Sequence, residues 1–126
     1  MVKYVVDSSA WVEYLAGSQR AEPLRKYFDD GELLTTSLCA AEVIAKVAKE
    51  GQSVDAAKNS IHTHSTIITI DFSTAVEAGV KYAELRKTKP KIALSDVITI
   101  ISAKNMEAKI LTFDTDFKGI PGAIVF

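Results

Sequence analysis

Residues 110–117 read ILTFDTDF, a short apolar run closed by Asp114 and Asp116 with one residue between them. Similar runs stand at 2–6 (VKYVV), 33–36 (LLTT), 66–70 (TIITI) and 123–126 (AIVF). They are β-branched and aromatic and show no clear polar alternation. That pattern suits strands covered on both faces, as in a parallel sheet. Between them lie segments of helical pattern at 9–16, about 20–29, 38–50, 54–63, 74–87 and 95–106. The first stops before Gly17, a natural helix end, and Pro23 is tolerable only in the first turn of the second. Ser37 is a candidate cap and Gly51 a terminator for 38–50, and Thr74–Glu77 matches a capping box. Strands alternating with helices predict an open parallel α/β sheet with helices on both faces. The loop before the last strand contains Pro121 and Gly122 and is too short for a parallel crossover with a full helix.

The 126 residues suit one domain, 1–126, with one core. A net charge of −1 gives the whole molecule no general attraction for polyanions. No stretch approaches the roughly twenty apolar residues that span a bilayer, and MVKYVVD is too short and too soon acidic for a signal peptide. Cys39 is the sole cysteine, expected to pack as a small hydrophobe in a protein of the reducing cytoplasm. The dense basic stretch is RKTKPK, with Arg86, Lys87, Lys89 and Lys91. It reads either as a solvated loop or as a local contact for phosphates. There is no internal repeat, low-complexity tract or domain linker.

In a sheet of this kind every strand's carboxyl end lies on one edge, where ligands bind. Asp7 follows the first strand in YVVDSSAW; Glu42 lies in the helix after the second, in SLCAAEV. Asp96 opens the helix leading into the fourth strand, in ALSDVITI, and Asp114 and Asp116 follow that strand. Each has a plain structural explanation. Asp7 could cap the next helix, Glu42 could pair with Lys46, Asp96 could complement a helix dipole beside a Ser95 cap, and Asp114 and Asp116 could shape a turn. Together they map to one rim. Crowded carboxylates raise one another's pKa values, and a hard cation removes that penalty. An all-oxygen donor set selects Mg²⁺ or Mn²⁺. No zinc site competes, since Cys39 is alone and His62 and His64, two apart on a helix, face different ways.

The motifs DSSAW (7–11), TTSLCAAEV (35–43), ALSDVITIISA (93–103) and ILTFDTDF, in this order, resemble those of PIN-domain ribonucleases, especially the small VapC-type toxins. The resemblance spans essentially the whole chain. It implies a PIN-like sheet of order 3-2-1-4-5 and a metal-dependent endoribonuclease using one or two Mg²⁺ or Mn²⁺ ions. By it, Asp7, Glu42, Asp96 and Asp114 are the four active-site acids and metal ligands, Asp116 is an auxiliary metal ligand, and Ser9 and Thr112 orient the first acids or a metal-bound water. It also implies an RNA substrate, a homodimer and a small antitoxin partner. Arg86, Lys87, Lys89 and Lys91, or Lys46 or Lys49, are possible phosphate contacts outside the family motifs.

Other readings of the fold remain in view: an RNA-processing nuclease outside a toxin system, or a non-catalytic RNA- or protein-binding module. A phosphotransferase of the haloacid dehalogenase kind would need a second aspartate where Ser9 stands. A receiver domain would need paired acids near Asp7 and a lysine after its last strand.

Overall fold

Neighbouring valines 5 and 6 go to opposite sides of the sheet. Val5 packs with Leu34, Ile110, Ala103 and Phe117, whereas Val6 packs with Leu33, Leu111, Ala10 and Trp11. Successive strand side chains alternate between faces, so a strand covered on both sides must be apolar at every position. That is the cause of the missing polar alternation. Residues 1–126, all described in the computed structural model, form strands β1 (Lys3–Val6), β2 (Glu32–Thr36), β3 (Thr66–Ile68), β4 (Lys109–Thr112) and β5 (Ala123–Val125). The helices are α1 (Ser8–Ala16), α2 (Arg25–Asp30), α3 (Ser37–Lys49), α4 (Val54–His64), α5 (Phe72–Leu85) and α6 (Leu94–Asn105). All four strand pairings are parallel, in the order β3-β2-β1-β4-β5.

Helices α1, α3 and α4 supply Trp11, Val43, Val47, Ala57 and Ile61 to one face; α6 covers the other through Ala103. Helix α5 packs on α6 through Ala78, against Ile92, Val97 and Ile101, rather than on the sheet. No helix is long and apolar enough to cross a membrane.

Several local expectations shift by a few residues. Thr36, not Ser37, caps α3: its Oγ1 accepts from the Cys39 N–H at 3.0 Å. Asp71 caps α5 through the Thr74 N–H at 2.8 Å, one turn before the expected box. Pro23 sits in a separate 3-10 turn, Gln19–Leu24, ahead of α2, because it has no N–H to continue an α-helical ladder. The crossover to β5 needs no full helix. A 3-10 turn, Thr115–Phe117, buries Phe117 on the α6 face, and the chain re-enters the sheet through Gly119 and Gly122, both at positive φ. Gly31 is required for another reason: a Cβ there would lie 2.5 Å from the Tyr4 ring and 2.8 Å from the Tyr27 carbonyl.

Candidate metal centre

Strands β1 and β4 lie side by side at the centre of the sheet, and both end in an acid. Asp7 continues their pairing, its N–H donating to the Leu111 carbonyl at 2.9 Å. It is only 4% exposed. Its Oδ2 accepts from Thr112 Oγ1 at 2.8 Å and Ser9 Oγ at 2.9 Å. Those hydroxyls in turn accept backbone N–H groups, Ser9 from Phe113 at 2.9 Å and Thr112 from Asp114 at 3.0 Å. The buried carboxylate is thereby tied to the strand exit that carries Asp114. The other Asp7 oxygen has the Cys39 thiol for its neighbour, at 4.0 Å.

Asp96 lies in the first turn of α6, where its Oδ2 accepts from the Ala93 N–H at 3.0 Å. Asp114 Oδ1 accepts from the Asp116 N–H at 2.8 Å. One carboxylate oxygen from each of Asp96, Asp114 and Asp116 falls within 4.8 Å of the others, so the trio can coordinate a divalent ion. Asp96 and Asp114 are each anchored through one oxygen by a backbone N–H, of Ala93 and of Asp116, whereas Asp7 is held by the hydroxyls of Ser9 and Thr112 and by the Ser8 N–H.

Charge is costly here. Burial raises the Asp7 pKa against the pull of Thr112 and Ser9, and Asp114 adds repulsion. Asp96 is pushed up to about 6, first by burial and then by the charges of Asp114, Asp7 and Glu42. Burial and Asp7 raise Glu42 as well, against the hydroxyls of Ser95 and Ser8. None of Asp7, Glu42, Asp96, Asp114 and Asp116 belongs to an ion pair. A cluster without a counter-cation can be relieved by protons or by a hard cation, and an all-oxygen donor set matches Mg²⁺ or Mn²⁺. Burial and then Asp7 raise the Cys39 thiol to about 11, so it is neutral in the ion-free protein.

Ser9 and Thr112 thus touch the acid they were expected to support. Glu42 is exposed on α3 outside the trio, sharing a groove with Ser8, Ser9 and Asp114. It is not paired with Lys46, whose Nζ bonds Glu50 at 3.2 Å. In the basic stretch, Lys89 donates to the Lys118 carbonyl at 2.6 Å and Arg86 to the Tyr82 hydroxyl at 2.6 Å; Lys87 and Lys91 have no such partner. Sequence reasoning missed Glu13, Arg20 and Phe113, which line that same groove. Arg20 belongs to the Pro23-containing turn, where no periodicity or motif marks it.

The parallel order and the acids at its carboxyl edge define a known class. The PIN domain matches residues 4–123, and the chain belongs to the PIN-domain family. Solved structures agree in fold. A toxin–antitoxin complex from Klebsiella pneumoniae matches at a TM-score of 0.77 and 21% identity, covering 97% of this chain and 96% of that one. VapBC2 from Rickettsia felis, bound to a promoter DNA fragment, matches at 0.76 and 18%, covering 99% and 98%. VapC20 from Mycobacterium tuberculosis, a Sarcin-Ricin loop cleaving toxin, matches at 0.73 and 14%, covering 94% and 95%. No curated protein matches by sequence.

Proposed function

We propose that this protein is a divalent-metal-dependent endoribonuclease, the toxin of a toxin–antitoxin pair acting in the cytoplasm. The observation that carries this reading is the trio Asp96, Asp114 and Asp116, gathered without a counter-cation beside the buried Asp7. The matched toxin and toxin–antitoxin structures support RNA as substrate and a small antitoxin as partner. Asp7, Asp96 and Asp114 would hold the ion, one or two in number, with Asp116 assisting. Bound Mg²⁺ or Mn²⁺ would supply Lewis acidity at the phosphate and lower the pKa of an attacking water. Ser9 and Thr112 keep Asp7 in place, so that little reorganisation is needed when substrate arrives. Glu42, exposed and raised in pKa, would accept the water's proton on its carboxylate. Hydrolysis would leave a 5′-phosphate and a 3′-hydroxyl.

With single-stranded RNA, cleavage is expected in Mg²⁺ or Mn²⁺, to vanish in excess EDTA and to return with added Mn²⁺. RNA that is bound yet intact at every metal concentration would sink the proposal in favour of a binding module.

A homodimer is supported by the outer face of α5, where Phe72 (84%), Val76 (52%) and Val80 (66%) are exposed. An antiparallel contact centred near Val76 would lay Phe72 of one copy beside Gly79 and Val80 of the other. A Cβ added at Gly79 meets nothing within 4 Å, so there is room for such an approach. Phe72→Glu is expected to halve the mass seen by size exclusion with light scattering. A wild-type monomer at high micromolar concentration would refute the contact.

A further inference from the structure

Beside Asp114 and Glu42 opens a groove of about 490 Å³, within the range of small-ligand pockets and roomy enough for a nucleotide. Two cations line it, Arg20 and Lys46. They differ in how they are held. Lys46 sits in an exposed pair with Glu50, the residue just past the end of its helix. Arg20 is fixed from two directions: its guanidinium donates to Glu13 Oε1 at 3.1 Å and lies over the Phe113 ring, 4.9 Å from the centroid. Glu13 is itself restrained, since its Oε2 accepts from Ser18 Oγ at 2.7 Å. Phe113 is restrained too, through the Ser9 hydroxyl that also holds Asp7. A chain of direct contacts therefore sets Arg20 relative to the acidic centre.

Stability does not account for this bracing. The Arg20 side chain is 64% exposed, and exposed pairs contribute little to folding. Glu13 occupies one edge of the guanidinium, leaving most of its five donors unused. A centre of several carboxylates repels the polyanion on either side of the bond to be cut, so a pre-placed cation has a clear use. The planar fork of Arg suits a phosphate better than a mobile ammonium does. An aromatic-backed guanidinium also offers an unpaired base a surface to stack on.

We propose that Arg20, braced by Glu13 and Phe113, binds a phosphate flanking the scissile one on a single-stranded RNA. The assignment rests on the nuclease reading, because the acidic cluster fixes where the scissile phosphate lies. The test is steady-state cleavage of a fluorogenic RNA oligonucleotide in Mn²⁺, with anisotropy of the same RNA in Ca²⁺ as a second readout. Arg20→Ala should raise KM about tenfold with kcat within about twofold, and lower the salt dependence of binding by about 0.7 log units per log unit of salt. Arg20→Lys should recover the salt slope but not all of the affinity. Lys109→Ala, at the amino-end edge of the sheet, is the neutral control, and melting curves confirm folding.

If wild type cleaves and Arg20→Ala keeps its KM and salt slope, the subsite is overturned and the groove is better assigned to a protein partner. If RNA binds in an Arg20-dependent way and is never cut, the phosphate contact stands and the nuclease reading falls. Neither binding nor cleavage overturns both.

Discussion

Asp7→Asn is expected to cut RNA cleavage by about 10²–10³-fold at saturating metal, comparable to losing one preorganised electrostatic group, while the fold persists. The amide oxygen of Asn can still accept from Ser9 and Thr112, as Asp7 Oδ2 does. What disappears is a charge that burial already penalises. In EDTA the variant should therefore melt at or above the wild-type temperature, because removal of an unpaired buried charge relieves strain in the ion-free protein. Single-turnover cleavage and melting curves, run on the same preparations, separate the two effects. A variant that is inactive because it is unfolded would show itself in the melt. A folded variant with wild-type rates would remove Asp7 from the chemistry.

Protons and divalent ions should compete for the same acids. In the ion-free protein Asp96 titrates near 6, against a reference of 3.8. Between those values the folded state keeps a proton that the unfolded chain has released, so stability must fall as pH rises through that window. The upward shifts of Asp7 and Glu42 act in the same direction. The melting temperature in EDTA should therefore drop from pH 5 to pH 7. Mg²⁺ or Mn²⁺ at a hundredfold excess over Kd should raise it by about 10 °C at pH 7. The gain should be smaller at pH 5, where binding must first displace a proton. Flat melting temperatures across pH, with no response to either ion, would mean that the cluster neither holds repelling charge nor binds a cation.

Much of the architecture was legible in the residues. VVD at 5–7 and ILT at 110–112 carry apolar side chains to both faces, which only a doubly covered strand tolerates. Once the strands are parallel, an acid after a strand must lie at the carboxyl edge. Caps were legible only to within a residue or a turn. Thr36 and Ser37 both carry a hydroxyl, as do Ser73 and Thr74 beside Asp71, and backbone geometry chooses among neighbours of equal chemistry. The crossover to β5 was hidden because its 3-10 turn and left-handed glycines carry no periodic signal.

The sequence by itself determined the class of fold, the rim on which the acids stand and the oxygen-only character of the donors. These follow from local periodicity and residue chemistry. Only the tertiary structure decided that Asp96, Asp114 and Asp116 meet within 4.8 Å while Asp7 is buried under two hydroxyls and Glu42 stays exposed. It alone decided that Arg20 rests on Phe113. Such meetings join side chains from about twenty to about a hundred positions apart, and they depend on how helices seat on the sheet and which rotamers that packing leaves open, neither of which a local pattern encodes.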